Sequence, residues 1–490
     1  MKSIEIRTRM APSPTGEFHI GGLRTLLFNY AWAKKNNGKF LLRIEDTDRN
    51  RFVEGALNRI LEVINAYGLS WDEGPQVGGP FGPYVQSERL NIYKEYAERI
   101  IQTGNAYYCF CNEERLSDLR TRYQEENRTY KYDKHCLSLN KNIIDEKISN
   151  NEKFVIRLNV PKSQIIEFED FVLGKLSFPS DEIDDAILLK SDGYPTYHFA
   201  VVIDDHLMKI THVMRGGEWI SSTPKHILLY RFFGFEEPKF GHLPNLKFVG
   251  SNKKMSKREG SVHAIEFLKK GYLPEAVLNQ LMLLGWNSGT DKEIYNLDEF
   301  IKEFDISRIQ KTDLVSLNFE KLNWFNNLYI QKLSEMEFLE TIKNWSIKFN
   351  VPSSIFELEK KYKLEKILKI LKLAKERLSV LSELDTAIDY FINPPFVDNV
   401  SLGKYSENPK KVLNFFKDSL ENESDFSFEN LDKKLHNLVK ENNFSMKEYF
   451  MTLRIAITGE TITPPIIEII DILGKKESIS RIETAISQFN

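Results

Sequence analysis

Cysteine is nearly absent. Three in 490 residues are too few for a disulfide scaffold. No apolar run approaches the roughly 20 residues a membrane span needs, so no membrane partner is expected. Neither charge sign dominates: 67 Lys and Arg against 70 Asp and Glu leave a net −3. That gives no global attraction to nucleic acid, so any RNA contact must rest on a local basic surface. The opening Met1-Lys2-Ser3-Ile4-Glu5 has neither the apolar stretch of a signal peptide nor the Arg/Ser richness of a transit peptide, and a cytoplasmic chain is expected. Coiled-coil, collagen and solenoid periods are missing. Glycine thins out along the chain. Up to about residue 290, short apolar runs are interleaved with Gly, Pro and His; from about 330 the composition is Leu, Ile, Lys, Glu, Asn and Ser. At 41% hydrophobic and 12% aromatic there is material for sizeable cores, and the length suggests about three domains. The compositional shift predicts a mixed α/β half followed by an all-helical one, with a boundary near Leu322-Asn323-Trp324-Phe325.

Residues 4–10 alternate, with Ile4, Ile6, Thr8 and Met10 on one side and Glu5, Arg7 and Arg9 on the other, which reads as a strand. Pro12, Pro14 and Gly16 break it into a loop. From Gly21 to Lys35, Leu23, Leu26, Leu27, Tyr30 and Ala31 recur near helical spacing, and 40–44 is a second apolar strand. Strand, glycine loop, helix, strand opens a parallel α/β nucleotide fold, whose ligand lies beyond the strand C-termini. Gly21 and Gly22 let the backbone and helix N–H groups approach phosphates. His19 can donate to oxygens that gain charge in a transition state. An ordinary strand–helix turn with a surface histidine would use the same residues; the preceding Ala11-Pro12-Ser13-Pro14-Thr15-Gly16 argues against it. Far downstream, Lys253-Lys254-Met255-Ser256-Lys257-Arg258 puts four cations in six residues. That suits a loop closing over departing pyrophosphate, with Lys257 strengthening its contact in the transition state.

Several longer motifs occur in order: R-M-A-P-S-P-T-G at 9–16, R-I-E-D-T-D at 43–48, D-E-G-P at 72–75, G-P-Y-V-Q-S-E-R at 82–89, L-L-K-S-D-G-Y-P-T-Y-H at 188–198, V-I-D-D-H at 202–206 and K-M-S-K-R at 254–258. Together they resemble the bacterial-type glutamyl-tRNA synthetases, class I aminoacyl-tRNA synthetases, over essentially the whole chain. The first motif often ends in a second histidine in that family; here Gly22 stands there, leaving His19 as its only imidazole. The resemblance implies a Rossmann-like parallel-sheet catalytic domain with an inserted acceptor-binding subdomain, followed by an all-α anticodon-binding region. The expected divisions are 1–110 and 196–250 for the two halves of the catalytic fold, 111–195 for the insert, 251–325 for the lysine loop and stem-contact helices, and 326–490 for the anticodon region. The implied reaction is attack of the glutamate α-carboxylate on the ATP α-phosphorus, then transfer from glutamyl-adenylate to the 3′-terminal adenosine of tRNA(Glu). Positioning and charge stabilisation carry both steps. Mg²⁺ is expected with ATP, and no compact carboxylate cluster marks a site for it.

The resemblance also implies roles for single residues. His19, Lys254 and Lys257 serve catalysis. Ala11, Gly21, Gly22, Glu218, Leu246, Lys254, Met255, Ser256 and Lys257 serve ATP. Arg9, Ser13, Glu45, Tyr197, Arg215 and Trp219 serve glutamate. An arginine fork suits the side-chain carboxylate and would reject uncharged glutamine; Arg9 and Arg215 are both candidates. Glu45 suits the α-ammonium, although Arg43 and Glu45 would also make a plain ion pair. Tyr197 and Trp219 supply a wall with polar edges.

All three cysteines fall in one stretch, Cys109-Phe110-Cys111 and Cys136, as a tetrahedral zinc site would require if a fourth ligand exists. His135, Tyr132 and Ser138 are the candidates, and three reduced thiols without metal is the alternative. Glu113 to Tyr132, dense in Arg, Glu and Tyr, suits a small insert near a tRNA acceptor end. Residues 363–384 carry leucines and isoleucines at three- and four-residue steps, an amphipathic helix. Its lysines, spaced by three, drift around it rather than forming one stripe. Arg377 matches a position that reads the last anticodon base in similar enzymes, which would favour tRNA(Glu) alone; an arginine on a wet helix face is the alternative. The tail around Leu453-Arg454, Pro464 and Leu473-Gly474-Lys475 matches too, whereas 401–445 resists placement. The rivals are an enzyme that also charges tRNA(Gln) and a non-catalytic RNA-binding paralogue. A monomer is expected.

Overall fold

The structure is a computed structural model that describes residues 4–255, 262–442 and 445–489. It comprises two compact units: Met1–Glu266 with Val277–Phe319, and Phe267–Ala276 with Glu320–Asn490.

The first unit opens with the strand Arg7–Met10, the helix Ile20–Lys35 and the strand Lys39–Leu42, the two strands pairing in parallel with Arg7 beside Lys39. The strand begins three residues later than its alternation suggests. The helix buries Leu23, Leu27, Phe28 and Ala31; being covered on most sides, it keeps its apolar residues to no single stripe. A four-stranded sheet has the order Gly174–Pro179, Ile165–Asp170, Lys239–Leu243, His212–Gly216. The first pair is an antiparallel hairpin and the rest is parallel. Thr211 N–H donates to the Arg7 carbonyl at 2.9 Å, tying this sheet to the opening strand. A further parallel pair joins Asn245–Phe248 to Leu314–Leu317. A separate antiparallel sheet joins Ala106–Cys109, Val155–Leu158 and Ile187–Leu189, with the helices Glu113–Glu125 and Lys141–Ser149 between its first two strands in sequence and the Ile165–Asp170 and Gly174–Pro179 hairpin between its last two.

Buried ion pairs hold the parallel core. Arg7 grips Glu73 with two bonds of 2.8 and 2.9 Å, and Tyr84 donates to the same carboxylate at 2.7 Å. Arg89, Gln86 and Tyr93 converge on Asp204 at 2.7, 2.8 and 2.7 Å. Much of the D-E-G-P, Q-S-E-R and I-D-D-H motifs is therefore scaffold.

The second unit is helical throughout its described residues. The long helix read over 363–384 is two: Leu364–Lys375 and Leu384–Ile392, with a 3-10 turn at Leu381–Glu383 between them. The Glu383 carboxylate takes the N–H groups of Ser379 and Val380 at 2.6 and 3.2 Å. That caps the new segment while the leucine spacing runs on unbroken, so periodicity alone does not show the break. The polar 401–445 stretch includes the helices Pro409–Glu421 and Phe428–Glu441, which bury Val412, Leu413, Phe416 and Leu420, and Leu431, Leu435 and Val439.

Candidate active site

A cavity of about 800 Å³ opens where the Arg7–Met10 and His212–Gly216 strands end, the place a parallel sheet offers a ligand. Of the residues singled out by sequence, Arg9, Ala11, Ser13, His19, Gly21, Gly22, Glu45, Tyr197, Arg215, Glu218, Trp219, Leu246, Lys254 and Met255 line it. Ser256 and Lys257 lie outside the described residues.

One end gathers a helix N-terminus, an imidazole and a lysine. His19 is the N-cap of the Ile20–Lys35 helix, and its Nδ1 accepts the Gly21 N–H at 2.9 Å. An imidazole that accepts at Nδ1 carries its proton on Nε2, so His19 is set as a donor at a helix N-terminus. A Cβ on Gly21 would come within 3.1 Å of that Nδ1, and one on Gly22 within 3.0 Å of the Phe18 ring; glycine at both positions keeps this approach open. Lys254 Nζ lies 2.9 Å from Glu218 Oε1 at the rim. The lysine loop is anchored on both sides. Met255, buried, donates its N–H to the Leu246 carbonyl at 2.7 Å, and the Val262 carbonyl accepts the Ile20 N–H at 2.8 Å.

The other end gathers buried arginines and carboxylates beside two aromatic rings. Arg43, fully buried, donates to Glu45 at 3.0 Å and to Asp205 at 2.6 Å. Arg9 engages both oxygens of Asp205, at 3.2 and 3.4 Å. Burial raises the Glu45 pKa above the usual carboxylate range, with Arg43 and Arg9 pulling the other way. For Asp205 burial also raises it, but the same two arginines win and leave it below the usual value. Arg215, 5% exposed, has a different set of partners. It donates to His242 Nε2 (3.1 Å), Tyr197 Oη (3.2 Å), His226 Nδ1 (3.1 Å) and Thr223 Oγ1 (2.7 Å), and makes no carboxylate pair among the described residues. The Tyr197 and Trp219 rings stand 4.2 Å apart and form one wall.

Sequence reasoning assigned no role to Arg24, Thr47, Lys190 and Asn245, which also line the cavity. Thr47 and Lys190 sit inside motifs already singled out, and Lys190 Nζ donates to the Thr47 carbonyl at 3.1 Å. His226 and His242 belong to no motif; only the fold brings them to Arg215.

In the antiparallel insert, the Sγ atoms of Cys109, Cys111 and Cys136 lie within 4.8 Å of one another. The Tyr132 hydroxyl is 3.3 Å from Cys109 Sγ and 3.2 Å from Cys111 Sγ, and takes the Cys136 N–H at 3.2 Å. The hydrogen bond between Cys109 and Cys136 draws the first thiol's pKa down and the second's up. His135 and Ser138 are exposed. In the second unit, Arg377 is exposed in the turn just past the Leu364–Lys375 helix and donates to the Thr463 carbonyl at 2.7 Å, a carbonyl that Arg454 also reaches at 2.9 Å.

Comparison with known proteins follows the same division. A family model described as "tRNA synthetases class I (E and Q), catalytic domain" matches residues 5–324, and an "Anticodon binding domain" model matches 337–486. A glutamate–tRNA ligase of Clostridium kluyveri is 44% identical, with 99% of this chain and 98% of that protein covered. That of Finegoldia magna is 40% identical, over 99% of this chain and 100% of its own length. Among solved structures, a glutamate tRNA ligase from Elizabethkingia meningosepticum in complex with its amino acid superposes with a TM-score of 0.89 at 34% identity, covering 99% of this chain and 100% of that one. The glutamate-tRNA synthetase of Elizabethkingia anophelis gives 0.89 at 35%, with the same coverage.

Proposed function

The chain belongs to the glutamate–tRNA ligases of the class I synthetases, and on that premise we propose how its pocket works. The enzyme uses ATP to activate L-glutamate and transfers it to tRNA. The observation that carries the assignment of residues is the contrast between two buried arginines. Arg9 already spans Asp205, whereas Arg215 is held by three neutral side chains and a tyrosine hydroxyl. Arg215 is the fork for the side-chain carboxylate of glutamate. A guanidinium kept without a counter-anion gains most from an acidic side chain and gains little from an amide. Glu45 takes the α-ammonium, Ser13 and Arg9 orient the α-carboxylate, and the Tyr197–Trp219 wall excludes water.

ATP occupies the other end. Leu246 packs against adenine, Glu218 faces the ribose, and Ala11, Gly21 and Gly22 admit the phosphates. His19 donates from Nε2 as charge builds on the phosphorus. Lys254 stands at the rim for the pyrophosphate. Ser256 and Lys257 serve the leaving group, where lysine charge counts most as pyrophosphate departs. Mg²⁺ bound with ATP would neutralise phosphate charge; among the described residues the only group of three or more candidate ligands is the cysteine cluster.

In the insert, Cys109, Cys111 and Cys136 suit zinc. Tyr132, whose oxygen already lies among the thiols, is a better fourth ligand than the exposed His135 or Ser138. Such an ion would be structural, pinning the strand end to the turn that follows. Arg377 reads the last anticodon base and confines charging to tRNA(Glu). The enzyme works as a cytoplasmic monomer, which light scattering tests.

Aminoacylation of tRNA(Glu) and tRNA(Gln) transcripts with labelled glutamate decides the main points. Charging of tRNA(Glu) alone is expected, and charging of both would remove the anticodon role given to Arg377. Pyrophosphate exchange should require tRNA and glutamate together; exchange with glutamine only would overturn the assignment of Arg215.

A further inference from the structure

Arg215 and His242 occupy paired positions on neighbouring parallel strands, and His226 lies on the helix Thr223–Phe233 that follows. A guanidinium has only donors. His242 Nε2 and His226 Nδ1, each 3.1 Å from it, must therefore be acceptors. The second ring nitrogens are fixed in turn. His242 Nδ1 donates to the buried Asp170 at 2.6 Å, and His226 Nε2 donates to His198 Nδ1 at 3.1 Å. Each ring is thus confined to one neutral tautomer. Protonating either nitrogen that faces Arg215 would set two donors against each other beside a buried positive charge.

We propose that His226 and His242 are positioning residues for amino-acid selection: they lock the Arg215 fork in direction while withholding a counter-charge, so that the first anion to reach it is the side-chain carboxylate of the substrate. This rests on the reading of Arg215 given above. Tyr197, Thr223 and the two histidines take four of the guanidinium's five N–H donors and leave one on Nη2 without a protein partner in this set. An acid in place of either histidine would orient it as well but would neutralise it. The buried acid Asp170 stands one residue further out, behind His242, where it steers the tautomer without pairing with the arginine.

The surroundings agree with neutral rings. His242 faces Arg215, Asp170, Thr223, Glu218 and the Phe240 ring; His226 faces Arg215, His198, Lys225 and Tyr197. Burial lowers the His242 pKa, with Asp170 opposing and Arg215 assisting. Burial and then Arg215 hold His226 well below the usual value, and burial takes His198 to about 4.

The test is steady-state kinetics of the full-length enzyme with tRNA, glutamate, glutamine and ATP. His242→Leu and His226→Leu should raise the KM for glutamate about 10-fold or more, with kcat and the KM for ATP within about 3-fold of wild type. His242→Gln and His226→Asn put an acceptor where the ring nitrogen stood and should restore the KM for glutamate to within about 3-fold. His242→Glu should be worse than His242→Leu. A leucine variant that binds glutamate normally, or a glutamate variant no worse than leucine, would overturn the inference. So would a rise in wild-type glutamate KM on acidification through about 6.5 that His242→Gln abolishes, since the ring would then be titrating. If the leucine variants fail to fold, the glutamine and asparagine variants and this pH comparison still decide. Arg215→Ala is the separate control. If it leaves the KM for glutamate unchanged, the assignment of Arg215 fails, whatever the histidine variants do.

Discussion

Glu45 distinguishes two readings with one substitution. As a plain partner of Arg43 it would be scaffold; as the acceptor of the α-ammonium it would bind substrate. Arg43 does not depend on it, because Asp205 sits at 2.6 Å and Asp204 at 3.8 Å from the same guanidinium. Glu45→Gln keeps size and one acceptor oxygen and removes the charge. At 6% exposure the lost contact is a desolvated, charge-assisted hydrogen bond of about 1.5–3 kcal/mol, or about 10- to 150-fold in kcat/KM for glutamate. Tyr197, Arg215 and the ATP end are untouched, so the KM for ATP should hold. The pH dependence has a definite sign. Burial raises the Glu45 pKa, and the ammonium needs the ionised form, so glutamate affinity should fall on acidification earlier than an ordinary glutamate would dictate. The variant should lack that limb. The measurement is tRNA-dependent pyrophosphate exchange across glutamate concentration and pH, with a melting curve as control. A lower melting temperature with unchanged glutamate KM would refute the substrate role and leave the ion pair.

Lys257→Ala should lower kcat by about 100-fold with little change in KM, because its contact strengthens only as pyrophosphate departs; single-turnover activation rates check this, and an unchanged rate would exclude it from the step. Elemental analysis should find zinc in the purified chain, with Cys136→Ser losing it and Tyr132→Phe holding it more weakly; full retention in Tyr132→Phe would dismiss the phenol as a ligand. His212, buried against Trp32 and Phe171, has its pKa lowered to about 4 by burial and then Lys239. The unfolded chain takes up that proton first, so stability should fall by about 2 kcal/mol from pH 7 to about 5. His212→Asn should have a slope shallower by that contribution in urea titrations, with the buried His198, His226 and His242 keeping theirs, and an identical slope would refute the burial argument.

What could be read from the chain alone was what local pattern and chemistry encode together. The alternation before Met10, the breakers at Pro12, Pro14 and Gly16 and the apolar spacing after Gly21 specify a strand, a loop and a helix within thirty residues of one another, so a candidate phosphate site could be named without a fold. Four cations around Met255 were visible for the same reason. The amino-acid end was legible only as a set of residue types, because its logic is in the pairing. Arg9 and Arg215 look equivalent in sequence, and both are buried arginines near the ends of parallel strands. They differ in that the helix Tyr197–Leu207 brings Asp205 to the first, whereas the strand Lys239–Leu243 brings His242 to the second. A single histidine with no neighbouring motif gives no signal of its own. It becomes informative only when strand order sets it beside a guanidinium and so dictates which nitrogen keeps the proton. The selectivity proposed for an acidic substrate therefore rests on long-range pairings between residues 27 and 196 positions apart, a distance at which periodicity and motif spacing carry no information.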